Sequence, residues 1–353
     1  KITSAAQSGG PTRRWTYHTT GLLTTEFHPE SGEVSYDYDA AGRLLNRRDQ
    51  EFGQTTFAHD RNNRMTSIER PGTAHDRTFQ YDASDNRTAV LGSAVQTYFK
   101  YDSANRLYSR RDFLNGRDFL STYFYDGNDY VTTIEYPPPV PTVVGLHVTY
   151  SRDAEGRVSE IGRPGAPTAY ASGITYEPTG ALKSYTAGNG VQHTIDHDAR
   201  GRISALTTSG LSLQYEHDAV GNVLSITEAS RSGMDQAFSY DTLDRLVIAD
   251  GPWGTTTFGH DSLGNRTHKG AVNYSHDPLT MRLIQSSAPE GDAFSYDANG
   301  NMIGTTSATF THTPENLIET ATTVGTSTTY RYDADQLRVM RLANGKTDPD
   351  PIY

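Results

Sequence analysis

Five adjacent His-Asp pairs punctuate the chain: His59-Asp60, His197-Asp198, His217-Asp218, His260-Asp261 and His276-Asp277. An imidazole beside a carboxylate can ligate zinc or iron in a hydrolase. Carboxylates two apart, as at Asp37/Asp39 and Asp196/Asp198, have the composition of a glycosidase acid and base. Such chemistry needs an irregular cluster with supporting bonds, and one carboxyl whose pKa its surroundings have moved. Here the pairs recur in register with a repeat. One His per hairpin would place neighbouring rings about 9–10 Å apart, too far to share a metal ion. The pattern reads as scaffold, so no catalytic, metal-binding or cofactor-binding residue is assigned and no cofactor is expected.

The repeat is the phrase seen in "YDYDAAGRLL" (36–45) and "FSYDANGNMI" (294–303). Aligned on its Asp, it is anchored at 18, 39, 60, 82, 102, 126, 153, 177, 198, 218, 241, 261, 277, 297, 313 and 333. These sixteen anchors span 315 residues, a mean interval of 21. Repetition at such a period marks one supersecondary unit used many times. The clearest anchors are Asp39, Asp60, Asp82, Asp102, Asp198, Asp218, Asp241, Asp261, Asp297 and Asp333. Three residues later stand Gly42, Gly156, Gly180, Gly201, Gly221, Gly264 and Gly300, with Asn or Asp in most other units. Gly, Asn and Asp tolerate a positive φ. An Asp, two right-handed residues and a left-handed one describe a type I turn with a G1 bulge, a three-residue hairpin connection. The Asp carboxylate is expected to accept backbone N–H bonds across that turn.

Three residues and one residue before the anchor stand rings: Tyr36 and Tyr38, Phe79 and Tyr81, Phe99 and Tyr101, Phe238 and Tyr240, Phe294 and Tyr296. Positions two apart share one face of a strand, so these rings are expected to form an aromatic ladder along adjacent hairpins. Arg43, Arg64, Arg106, Arg157, Arg202 and Arg245 follow the turns. They are expected to pair with the Asp column of neighbouring turns, as solvated ion pairs of small value. A second turn near mid-unit carries Gly53, Gly190, Gly210, Gly254, Gly291 or Gly325.

Two strands per unit make roughly thirty strands, which side by side at ~4.8 Å would span about 150 Å. Open sheets rarely exceed ~10 strands without curling or splitting. The fold class is therefore all-β: tandem β-hairpins of about 21 residues in a long antiparallel sheet that coils on itself. A β-helix is the weaker alternative, since these turns reverse the chain. The whole of 1–353 reads as a single repeat array of about sixteen units and as a piece of a longer protein. The Pro-rich insertion "EYPPPVPTVVG" (135–145) is expected as a loop at the rim, because Pro cannot donate to a ladder.

Composition narrows the function. A net charge of −11 argues against a nucleic-acid backbone as main partner. No apolar run approaches the ~20 residues of a transmembrane helix. The absence of Cys excludes a disulfide framework and Cys-ligated zinc.

The phrases "YDYDAAGRLL", "FKYDSANRLY", "FSYDTLDRLV" and "FSYDANGNMI" resemble the YD repeats of Rhs proteins over about residues 15–342. That family includes bacterial Rhs polymorphic toxins, C components of insecticidal toxin complexes, wall-associated proteins and teneurins. The resemblance implies a sheet spiralling into a hollow shell that, in the toxins, encloses a C-terminal toxin domain released by an aspartyl-protease-like segment. The family's "DPxGL"-type signature is not matched by "LANGKTDPDPIY" (342–353), so no protease residues carry over.

The resemblance thus implies a non-enzymatic shell segment of a secreted or surface-exposed bacterial protein. Its partner would be a toxin or effector domain of the same polypeptide, with glycans or a secretion apparatus as further candidates. An adhesion or glycan-binding module is the alternative, and a carbohydrate-active enzyme on a spiral scaffold the third.

Overall fold

The computed structural model describes residues 2–5, 10–72, 75–138, 145–288, 292–333 and 335–344, and the backbone of 350–351. Among the described residues there are strands and turns and no helix. The described residues form thirty-four strands, from Ser4–Ala5 to Asp350–Pro351, most of five to seven residues. They form a 27-stranded and a 7-stranded sheet. Pairing is antiparallel throughout, as the reversing turns require. Strand Gly32–Tyr38 pairs with Leu44–Asp49, which pairs with Gly53–His59, and so on along the chain. The sheets meet at Gln285 and Ala293, which pair as an isolated bridge flanked by backbone bonds from Ser286 N to the Asp292 carbonyl and from Phe294 N to the Ile284 carbonyl. Residues 139–144 of the Pro-rich insertion and Gly291 lie outside the described residues.

Each strand pair bulges just before its anchor, as between Asp37 and Tyr38 or between Ser239 and Tyr240. Bulges bend a strand and increase its twist, so one per hairpin supplies a regular curl. The curl brings the chain back to its beginning. Glu51 N donates to Asn299 Oδ1 at 3.2 Å, and Ala298 N donates to Glu51 Oε2 at 3.0 Å. Twenty-three strands separate these contacts. At ~4.8 Å per strand, one revolution is roughly 110 Å around and about 35 Å across. The sheet overlaps itself as a spiral and is not closed by a ladder.

The apolar core sits where the coils overlap. Val95, Leu114 and Phe119 of the first coil pack with Val339 and Met340 of the second. Cross-strand pairing aligns Val90, Thr97, Asp112 and Phe119 on one face, all nearly inaccessible. The hairpin of Leu107–Leu114 and Arg117–Tyr125, with strands of eight and nine residues, is longer than its neighbours and reaches over the returning coil.

Candidate functional site

The repeated turn and the seam between coils are the two constructions with side-chain chemistry. In the turn, the anchor carboxylate caps the backbone. Oδ1 of Asp39, Asp60, Asp82, Asp102, Asp198, Asp218, Asp241, Asp261, Asp297 and Asp333 accepts from the N–H four residues on, at 2.8–3.0 Å. In nine of the ten, Asp297 excepted, it also accepts from the N–H two residues on. Gly42, Gly156, Gly180, Gly201, Gly221, Gly264 and Gly300 have φ between 79° and 113°. Gln336, at the same position, is driven to φ 64°. After Asp277 the turn is one residue longer, and the positive φ passes from Thr280 to Met281.

The Arg column acts differently from the expectation. Arg43, Arg64, Arg106, Arg202 and Arg245 each donate from Nε to Oδ2 of their own anchor, at 2.6–2.8 Å. With Nη1 each reaches the next unit's anchor carbonyl, those of Asp60, Asp82, Asp126, Asp218 and Asp261. The four-residue turn holds each Arg over its own anchor, so the neighbour receives a bond at its backbone and not at its anchor carboxylate. Backbone bonds from Arg43 and Ala41, with the Arg43 guanidinium, hold the Asp39 carboxyl below its ordinary pKa despite partial desolvation. At Asp198 and Asp241 the Arg202 and Arg245 bonds bring it to about 2.

The ring columns are half-buried in all sixteen units, and the residue between them is exposed in fourteen. Among the described residues, no ring-to-ring contact joins two members of the expected ladder. The ring contacts present link Trp15 to His28, Tyr108 to Phe124 and Tyr185 to His193. The ring before the anchor instead reaches across to the preceding unit. The hydroxyls of Tyr81, Tyr101, Tyr240 and Tyr296 donate to the carbonyls of Met65, Arg87, Val223 and Leu283 at 2.7–3.0 Å. Arg64 and Arg282 lie over the rings of Tyr81 and Tyr296. Arg87 covers Phe99. Burial pushes the phenols of Tyr38, Tyr101, Tyr240 and Tyr296 up. Burial and the bond to Glu26 push Tyr36 to about 12. Phe79, Phe238 and Phe294 stand in the other column, half-buried.

The departures obey the same geometry. Arg152, in the Tyr column, donates to the Val131 carbonyl at 3.3 Å, the position a Tyr would have reached. The shorter His does not: Nδ1 of His59, His197, His260 and His312 is buried with no protein partner. Among the described residues, no group of three His, Asp or Glu could hold a metal ion.

The seam was not foreseen. Arg282 Nε donates to the Glu30 carbonyl, and Arg70 pairs with Glu315 at 2.8 Å. Arg110 bonds both Asp112 and Asp333, whose carboxylates are almost wholly buried. Burial opposes the Arg110 charge, but its bonds to the two carboxylates raise its pKa above the usual value. One signal was present: Asp333 is followed four residues on by Leu337 where most units have Arg or Asn. Its second carboxylate oxygen was therefore free for a partner elsewhere. A cavity of about 530 Å³ lies along the seam between Arg70, Arg77, Phe113, Glu319 and Tyr330.

The RHS repeat sequence profile matches residues 38–75. Residues 38–75 carry an RHS repeat. The chain is 27% identical over 237 residues to the tRNA3(Ser)-specific nuclease WapA of Bacillus spizizenii, covering 62% of this chain and 9% of that protein. It is 24% identical over 289 residues to the double-stranded DNA deaminase toxin A of Burkholderia cenocepacia, covering 80% and 18%. The crystal structure of TcdB2-TccC3-Cdc42 superposes with a TM-score of 0.81 at 16% identity, over 94% of this chain and 20% of that one. That likeness is one of fold. The chain spans less than a fifth of the length of the curated relatives it matches.

Proposed function

We propose that the chain is a non-enzymatic wall segment of a larger Rhs-repeat shell, in one continuous array. The shell would enclose or present a C-terminal toxin or effector domain of the same polypeptide, in a protein secreted or displayed by a bacterium. The observation that carries this reading is the seam: after one revolution the sheet docks on its own beginning through Arg282–Glu30, Glu51–Asn299 and Arg110–Asp333. A hydrogen-bonded spiral encloses space, and the side chains are spent on turns, strands and seam. Nuclease and deaminase are names of much longer relatives, and such an activity would belong to another segment of a whole protein.

Protease protection in the full-length product of the gene tests this reading. The domain beyond the repeats should resist trypsin in the native protein and be cut in an Arg110→Ala variant with a loosened seam. Equal cleavage in both, at the rate of the isolated domain, would refute enclosure.

A second reading, glycan or surface binding, has one observation in its favour. Tyr98, Phe113, Leu120 and Phe124 share a sheet face and are 39–48% exposed, with Tyr108 edge-on to Phe124 at 6.5 Å. Ring faces with a polar rim suit a sugar. Glycan-array binding lost on Tyr98→Ala with Phe124→Ala would establish it. The ring columns suit it less, since several of their hydroxyls already bond carbonyls.

A further inference from the structure

The seam is not packed along its whole length. Between Arg70 and Arg77 on the first coil and Glu319 and Tyr330 on the returning one it leaves the cavity of about 530 Å³. Its walls come from residues 68–116 and 313–336, units that already face each other. The cavity therefore belongs to the seam and not to a free end of the array. Its volume is that of a site for a small organic molecule.

The charges around it do not balance. Glu315 is held by Arg70 at 2.8 Å, Glu319 by Arg331 at 2.9 Å and Asp333 by Arg110 at 2.7 Å. Each of these carboxylates has its cation, and Arg77 is left over. Arg77 donates from Nη1 to the Asp76 carbonyl at 2.9 Å, and among the described residues it forms no ion pair. The Asp76 carboxylate is turned away, accepting from Arg70 N at 2.7 Å. Gly92 makes room for the guanidinium: a Cβ there would stand 2.9 Å from Arg77 Nη1. Arg70 feels the extra charge. Its side chain is only 9% exposed, and burial first, then Arg77, push its pKa down against the pull of Glu315 and Asp76. Two guanidiniums that repel each other beside a cavity, with one carboxylate to share, form a site for an anion.

The rest of the lining narrows the class of anion. Ile68, Ala94, Phe113 and Leu317 give it apolar walls. Gln96 accepts from the Tyr98 hydroxyl at 2.9 Å through its amide oxygen, which leaves its amide N–H groups to donate. Apolar walls with a few placed polar groups suit an organic body more than a bare inorganic ion. The planar fork of Arg77 matches a carboxylate or a phosphate.

We propose that the seam cavity binds a small organic anion, a carboxylate or a phosphate monoester, with its charged end on Arg77 and its apolar body against Phe113 and Leu317.

Calorimetric titration of the 353-residue chain with phenyl phosphate and with benzoate tests this. At least one of the two should bind once per chain, with a dissociation constant of about 1 mM or below, and the tighter one identifies the anion. Benzyl alcohol lacks the charge and inorganic phosphate lacks the body, so each should bind at least about tenfold more weakly. Arg77→Gln removes the cation, and Gly92→Ala puts a methyl group where its guanidinium rests. Each should weaken binding about tenfold or more, while Arg61→Gln, on an exposed turn, should leave it unchanged. Melting temperatures show whether the variants are folded, and Gly92→Ala carries the test should Arg77→Gln fail to fold. No binding of either aryl anion, equal affinity for either control compound, or full affinity in a folded Arg77→Gln or Gly92→Ala variant would each overturn the proposal. None of these outcomes bears on the wall reading, which rests on the seam and not on the space left in it.

Discussion

Arg110 donates from Nη2 to Oδ2 of Asp333 at 2.7 Å, although 223 residues separate them. In a regular turn that oxygen belongs to the Arg or Asn four residues on. Leu337 stands there instead, and an Arg from the previous coil takes the place. One side chain thus completes a turn and fastens two coils. Arg110→Ala would leave Asp112 and Asp333 buried without their cation, a loss of about 3–5 kcal/mol. A urea titration followed by near-ultraviolet circular dichroism should show the midpoint fall accordingly. Arg157→Ala, in a solvated turn ion pair with Asp153, should lower the midpoint far less.

The turn carboxylates make the wall acid-sensitive. Asp198 and Asp241 titrate near 2 when folded, below the ordinary 3.8, and Asp39, Asp60 and Asp102 are shifted the same way. A depressed folded pKa means that the unfolded chain binds the proton more readily. The stabilisation is present above the unfolded value and is lost as pH falls through the folded one. The urea midpoint should therefore be insensitive to these groups from pH 5 to 7, and should drop between about pH 4 and pH 2. Asp241→Asn should flatten part of that drop. An identical acid limb in this variant would show that Asp241 is not among its causes.

Gly300 and Gly264 occupy equivalent turn positions, with φ 84° and 90°. Only Gly300 is also pressed by another coil: nothing stands within 4 Å of a Cβ on Gly264. Gly264→Ala should cost only the left-handed strain, about 1–2 kcal/mol. Gly300→Ala adds a backbone clash with Glu30, a further 1–3 kcal/mol or so. Thermal denaturation of the two variants side by side measures the difference. Equal losses would mean that the seam yields freely at this point.

The hairpin period, the turn chemistry and the antiparallel coil were legible because they are local. An Asp followed by a left-handed residue specifies its turn wherever it sits, and alternating rings mark one strand face. The seam was not legible, because which units meet depends on how much each bulge curls the sheet, a sum over twenty-three strands. Leu337 and the long hairpin around Asn115 were visible as irregularities, but nothing local said that they face each other. The ring columns differ from a stacked ladder for a related reason. Spacing put Tyr81 and Tyr101 on one face, and the bulge beside each then aimed its hydroxyl at a carbonyl in the preceding unit.

The Tyr and His versions of that column differ by one bond. Tyr240 donates to the Val223 carbonyl at 2.9 Å, while His260, one unit later, leaves Nδ1 buried and unpartnered. Tyr240→Phe keeps the ring and removes the bond, and should cost about 0.5–1.5 kcal/mol. His260→Tyr should work in reverse. The longer side chain would place its hydroxyl near the Leu246 carbonyl, five residues after the preceding anchor, as Val223 is for Tyr240. It should stabilise the wall by about 0.5–1.5 kcal/mol and relieve the orphaned nitrogen. Urea midpoints of the two variants against the parent decide the matter. A destabilised His260→Tyr would mean that this His is held for a reason outside the repeat's hydrogen-bond pattern.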